Sequence, residues 1–379
     1  MFNALSLSLS RGGSVASVLP GTEAFDVRAM SRFTFLRNTG GSEVDHFFYR
    51  LDQASSADAD FTETIDGAAF SSTGGRGYQS AFSLSSAALG DSAEFDFTSS
   101  AYTEAWFAVA FNLNYLGSGD QECFYIGGPT QKLFRIAGQN TTEHWIPQYW
   151  NGSTWVDIGS TVTSPDLSAN DAYLIIHVKL DNSTGNFTVY NGVSEAQIAT
   201  FSGDTILTAD TTITRCGITH MGSNGNISAI MVGPADLRLN RIEEDDALAA
   251  GTTATVTGTH TSLDDYVHQT TADFVTADAD GEEILVDMNT IGGTFSAWSV
   301  DKVLLAVKAQ AQADPSLYGK ALCRSGGTTY EAATYFTPLA SGYLTFDAEF
   351  ETNPDTGSAW ANPAAVDAAE WGFRAYTTP

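Results

Sequence analysis

The chain has 379 residues, with 17 Lys+Arg against 45 Asp+Glu and a formal net charge of −28 at pH 7. So acidic a surface gains nothing from counterion release on nucleic acid and is repelled by anionic lipid, which sets both partners aside. The length predicts two domains, each able to bury a core of its own. Cys123, Cys216 and Cys323 are odd in number and widely separated, which argues against a disulfide framework or a zinc site and predicts three small buried hydrophobes.

The chain opens MFNALSLSLSRGG, which lacks a basic n-region and a continuous apolar h-region. No signal peptide is expected, and the protein is expected to fold in a cytosol and to reach any exterior by another route. No apolar run approaches the roughly 20 residues of a membrane span. ALSLSLS alternates strictly, so residues 1–12 read either as an edge strand of the first domain or as an anchor strand for a neighbouring subunit. Beyond it, turn-forming residues recur roughly every 8 to 12 positions, the grammar of a β-sandwich rather than of βαβ units.

WFAVAFNLNYL (106–116) places Trp106, Ala108 and Ala110 on one face of a strand. QYWNGSTWVDIG predicts a hairpin at Asn151-Gly152, where glycine supplies positive φ cheaply. AYLIIHVKLD and NFTVYNG flank Asn182-Ser183-Thr184-Gly185, a second hairpin loop. At 243–251 the texture changes to EEDDALAAG, which reads as a solvated acidic linker between a domain at 1–242 and another at 252–379.

The second half resumes the β pattern with EEILVDM, VDKVLLAVKAQA and YLTFDAEFE. In the last, Leu344, Phe346, Ala348 and Phe350 share one face, while Thr345, Asp347, Glu349 and Glu351 form a solvated one. Asn353-Pro354-Asp355-Thr356-Gly357 predicts a turn, Asn362 an N-cap and Pro363 the first helical residue. The helix is too short to persist in water alone. It is expected to lie on the sandwich with Trp360, Val366 and Ala369 inward, before Trp371–Tyr376 returns as a strand.

From about Thr261 to Tyr376 the chain resembles a C-terminal domain of tailed-bacteriophage virion structural proteins. The residues are TADADGEEILVDMNTI, VDKVLLAVKAQAQAD and CRSGGTTYEAATYFTPLASGYLTFDAEFETNPDTGSAWANPAAVDAAEWGFRA, with a Gly-Gly hairpin at 326–327. The first domain resembles a concanavalin-type or laminin-G-like jelly roll, through AWFAVAFNL, AYLIIHVKLDNSTGNFTVYNGV and GNISAIMVGPADLRLNRI. Together these imply an all-β chain: a jelly-roll sandwich followed by a smaller β-sandwich bearing one short helix. They also imply a non-catalytic component of an assembled particle, placed at a tail tip, in a tail fibre or on the particle surface. Its implied partners are other virion proteins, further copies in a trimer, and host surface glycan; a capsid decoration protein is the alternative. Calcium is a possibility by this resemblance alone, since no ligand set in the chain matches one.

A glycan-degrading enzyme is the competing class, because laminarinase-type hydrolases share the jelly roll. Their E-x-D-x-x-E strand needs a proton donor in its last position. Here the stretch is Glu94-Phe95-Asp96-Phe97-Thr98-Ser99, with Ser99 where the acid belongs. No G-x-S-x-G, P-loop or H-E-x-x-H occurs, and His46, His144, His177, His220, His260 and His268 stand singly. Catalysis is therefore not expected. Binding is: Trp145, Tyr149, Trp150 and Trp155 fall around one hairpin, where aromatic faces stack on sugar rings or anchor protein interfaces. The same rings would equally fill the core or brace the hairpin. Arg135 and Asp157 are candidate polar neighbours. The Asn140, Asn151, Asn182, Asn186 and Asn226 sequons read as coincidence in an Asn/Thr-rich bacterial product.

Overall fold

A computed structural model of the chain describes residues 24–41, 44–48, 101–113, 120–139, 144–159, 171–192, 194–219, 225–265, 273–312, 317–339 and 342–378, with the short stretches 63–64, 82–83, 92–97, 162–163 and 267. Residues 1–12, read as an anchor or edge strand, lie outside them. The protein is all-β, with four antiparallel sheets and one α-helix, Pro363–Asp367, among the described residues.

Along its main path, sheet 1 runs Trp155–Asp157, His144–Trp150, Lys132–Gln139, Asp120–Gly127, Arg215–Thr219, Ser92–Asp96, Glu63–Thr64. Sheet 2 runs Gln197–Gly203, Gly185–Asn191, Asp171–Lys179, Glu104–Leu113, Gly225–Gly233, His46–Phe48. Sheet 3 runs Asn240–Asp245, Phe25–Arg37, Ser299–Ala311, Leu344–Phe350. Sheet 4 runs Ala247–Ala254, Glu283–Met288, Glu370–Tyr376, Tyr318–Ser325, Thr328–Glu331.

Alternation along the strands stacks these sheets into four layers. Phe107, Val109, Leu174, Ile176 and Val189 of sheet 2 meet Phe95, Phe124, Phe134 and Trp145 of sheet 1 in the first core. The opposite parity of sheet 2, Trp106, Ala108, Ile175 and Met231, packs on Ala29, Phe33, Phe35, Leu304 and Ala306 of sheet 3. Sheet 3 then turns Val27, Met30, Val303, Leu305 and Val307 toward Ile284, Val286, Trp371 and Phe373 of sheet 4. Sheet 2 is thus buried on both faces, which is why LIIHV carries apolar residues at successive positions.

Strand pairing corrects the expected domain boundary. Phe25–Arg37, expected in the first domain, pairs with Asn240–Asp245 on one side and Ser299–Ala311 on the other, at the centre of sheet 3. The first sandwich is an insertion between two strands that pair with each other. Nor is 243–251 a linker: Glu243, Glu244 and Asp245 end one strand and Ala247–Ala254 begins the next. The acids are tolerated because the strand is a sheet edge and because partners meet them. Ser31 Oγ donates to Glu244 at 2.7 Å. Arg32 Nη2 donates to Asp245 at 2.7 Å. Desolvation, reinforced by Asp245, pushes the Glu243 carboxyl up to about 7.

Arg32 is wholly buried, and its position explains the carboxy-terminal helix. Besides Asp245, its guanidinium donates to Asn289 O at 2.8 Å, Asp367 Oδ1 at 3.1 Å and Val366 O at 3.3 Å. Asp367 is in turn held by the Gly292 N–H at 2.7 Å. Asn362 caps the helix by accepting from Ala365 N at 3.0 Å, and Pro363 is its first residue, as the sequence predicts. Trp360, Val366 and Ala369 are buried, and Trp360 Nε1 donates to Phe350 O at 3.0 Å. The Gly326-Gly327 hairpin also forms, with φ of +58° and +85° between Tyr318–Ser325 and Thr328–Glu331. All three cysteines are free and buried.

Candidate functional site

Among the described residues, the outer face of sheet 1 carries a polar and aromatic array. Its registers align Glu94 with Gly217, Gly217 with Tyr125, Tyr125 with Arg135, Arg135 with Gln148 and Gln148 with Asp157. Directly opposed residues share a face, so one row crosses six strands. Gly217 makes the row possible: a Cβ there would lie 2.4 Å from the Tyr125 ring, which rests on the bare backbone instead. Lys132 Nζ sits 4.0 Å above the centre of that ring.

Hydrogen bonds fix each member. Tyr125 donates its hydroxyl to Glu94 Oε2 at 2.6 Å, and Arg215 Nη1 donates to Glu94 Oε1 at 3.1 Å. Burial and the Glu94 carboxylate hold the Tyr125 phenol protonated far above its usual range. Glu122 accepts from Thr219 Oγ1 at 2.6 Å and from Lys132 Nζ. Arg135 Nε donates to Gln148 Oε1 at 2.6 Å, and Gln148 Nε2 donates to Asp157 Oδ1 at 2.7 Å.

At the hairpin end this row meets two indoles. Trp150 and Trp155 are half-buried and pack edge-to-face at 5.4 Å, and the Arg135 guanidinium lies 4.4 Å over the Trp155 ring. The turn beneath is rigid. Gly152 takes φ +93°, and Asn151 Oδ1 accepts from the Ser153 and Thr154 amides at 2.9 and 2.8 Å. The result is a preorganised surface: a partly open aromatic ring bordered by a guanidinium, an amide and an exposed carboxylate held in place by one another. Such a surface can stack on the apolar face of a pyranose and hydrogen-bond its hydroxyls.

The structure separates the four aromatics expected at this site. Trp145 is 1% exposed and sits in the core between sheets 1 and 2. Tyr149 also points inward, stacked on Phe201 at 4.3 Å. Neither reaches the outer face, because period-2 alternation sends 145 and 149 to one side of the strand and 148 and 150 to the other. Trp150 and Trp155 remain, joined by Arg135 and Asp157. Glu94, Glu122, Tyr125, Gln148 and Arg215 were not anticipated there. Their only local signal is alternation within each strand; what aligns them is the register.

Both oxygens of Glu94 are engaged, Oε2 by Tyr125 and Oε1 by Arg215. Thr98 and Ser99 lie outside the described residues. Among the described residues, no group of three or more His, Cys, Asp or Glu is placed to hold a metal ion, and no helix is long and apolar enough to cross a membrane.

No protein-family model matches the sequence, and no curated protein matches it. Solved structures are similar in part. The galectin LEC-6 of Caenorhabditis elegans is 9% identical, with 37% of this chain and 89% of the galectin covered at a TM-score of 0.27. The exoplasmic/lumenal domain of VIP36, in its Ca2+/Man-bound form, is 8% identical over 53% of this chain and 98% of that domain, TM-score 0.34. The carbohydrate esterase vb_24B_21 from the Shiga toxin-encoding bacteriophage phi24B is 12% identical over 52% of this chain and 100% of the esterase, TM-score 0.33. Likeness of this degree says nothing of what this chain binds.

Proposed function

We propose that the protein is a non-catalytic structural component of a tailed-phage virion, at the tail tip or fibre, whose first sandwich binds a host surface glycan. The observation that carries the glycan reading is the half-buried Trp150–Trp155 pair braced beside the Arg135–Gln148–Asp157 chain. The virion reading rests on the sequence resemblance of 261–376, and on a fold in which the second sandwich is assembled from segments on either side of the first, which is an insert carried on it. In this reading the second sandwich mounts the protein among other virion proteins and further copies of itself, and sheet 1 faces outward.

The test is a glycan array probed with the pure protein, run beside a reducing-sugar assay on any polysaccharide it binds. Saturable binding without sugar release, weakened at least tenfold by Trp155→Ala at unchanged thermal stability, is the expected result. Turnover of the bound polysaccharide would overturn the non-catalytic assignment, and binding indifferent to Trp155 would overturn the site.

A further inference from the structure

Among the described residues, one long edge of the second sandwich has no neighbouring strand. Leu344–Phe350 is the last strand of sheet 3 and, among the described residues, pairs on one side only, with Ser299–Ala311. Alternate backbone N–H and C=O groups of such a strand point away from its sheet and form a template for another strand. Grooves border this edge on both faces. One, of about 290 Å3, lies toward sheet 4 and is walled by Tyr335, Phe336 and Phe346, with Thr345 and Asp347 on its rim. The other, of about 270 Å3, lies toward the first sandwich and is walled by Phe35, Phe47, Phe48 and Leu304, with Asp347 and Glu349 on its rim. A strand laid along this edge would send alternate side chains into two aromatic-walled grooves.

Charge narrows the occupant. Asp347 and Glu349 on the strand and Glu351 just beyond it are exposed, with Lys302 Nζ donating to Glu349 at 2.6 Å, so the edge carries more acid than base. Two copies of this edge laid against each other would oppose carboxylate with carboxylate, which is destabilising. An occupant that is free of acids, extended and alternating fits this edge better than a second copy of it. The chain itself contains such a segment: Met1–Thr22 has no Asp or Glu, although the whole chain has 45, and Ala4–Ser10 alternates Leu with Ser and is followed by Arg11. Seven residues match the seven of the edge strand. The segment is also rooted at the right place. Phe25 pairs with Ala311 and Leu344 with Ala309, so donor root and acceptor edge lie at the same end of one sheet. Two copies set edge to edge can then give and take the same segment across one self-complementary interface.

We propose that the Leu344–Phe350 edge accepts the Ala4–Ser10 segment of a second copy as an added β-strand, with Leu5, Leu7 and Leu9 in one groove and Arg11 beside the Asp347–Glu351 carboxylates. The proposal rests on the assembled-particle reading above but not on glycan binding. It is tested on the full-length chain by light scattering, with a synthetic peptide of residues 1–13 as probe. The wild-type chain is expected at more than one copy in mass and full-length Leu7→Pro at one, because proline removes a ladder donor and fits poorly in a strand. The peptide should bind the freed edge of the Leu7→Pro chain, and a peptide carrying Leu7→Pro should bind it at least tenfold more weakly. Arg11→Glu, a milder change, should weaken association most at low salt. A single cooperative unfolding transition retained by both variants, lower only by the concentration-dependent share that association contributes, shows that the sandwiches are intact. A wild-type chain of one-copy mass, a Leu7→Pro chain of wild-type mass, or equal binding of the two peptides would each overturn the exchange. Glycan binding by the Leu7→Pro chain, expected unchanged, reports separately on the first sandwich.

Discussion

The two outer faces of the first sandwich invite comparison. Sheet 2 turns Trp106, Ala108, Ile175 and Met231 outward, and sheet 3 buries them. Sheet 1 turns Glu94, Tyr125, Arg135, Gln148 and Trp155 outward, and these partner one another instead. Side chains alternate between faces in both sheets, but sheet 2 is apolar on both faces and sheet 1 on one. What separates them is whether the outward residues can satisfy each other in water or need a second sheet to hide them. In the proposed function the apolar face is the mount and the polar-aromatic face the display. Changes on the mounting side should therefore cost folding, and changes on the display side should cost binding.

The largest effect is expected at Arg32. Arg32→Met leaves the buried Asp245 and the half-buried Asp367 without their cation, and should lower unfolding stability by about 3–5 kcal/mol in denaturant titration. Phe33, fully buried in the seam between the sandwiches, comes next. Phe33→Ala should cost about 3 kcal/mol, and calorimetry should show the unfolding of the two sandwiches drawing apart.

Glu243 gives a pH-dependent change of opposite sign. Its carboxyl is raised from 4.5 to about 7 by desolvation, so the folded chain keeps a proton that the unfolded chain releases. Stability is then lost as pH rises from about 4.5 to 7 and is flat above. Glu243→Gln should raise stability by about 1–3 kcal/mol at pH 8 and change little at pH 4, read by thermal unfolding at the two pH values. Removing the cap with Asn362→Ala should cost about 1 kcal/mol. On the display side, Trp155→Ala should move stability by less than about 1 kcal/mol while abolishing most glycan binding. If Trp155→Ala unfolds the protein as Arg32→Met does, the division of labour between the faces fails.

Much of the second sandwich was legible because its signals are local. The Asn362 cap, Pro363, the Gly326-Gly327 turn and the inward Trp360 each follow from a few neighbouring residues. Phe25–Arg37 was misplaced because nothing within it names its partners, which lie more than 200 residues away. The EEDD run misled for a related reason: four acids in a row look solvated unless Arg32, far off in sequence, is known to face one of them. At the candidate site, Asn151-Gly152 marked the hairpin, and the aromatic content drew attention to it. That content could not separate Trp150 and Trp155 from Trp145 and Tyr149, since assigning faces needs the exact strand frame.

Composition and alternation by themselves determined that this chain is β throughout, with each turn and cap written in the residues that form it, because those preferences act over a few bonds. Only the tertiary structure decided which strands are neighbours, and so that one sandwich is threaded into the other and that Glu94, Tyr125, Arg135, Gln148 and Asp157 form a single row. Register is a collective property of the sheet, set by burying one face of every strand at once, and no short window of sequence contains it.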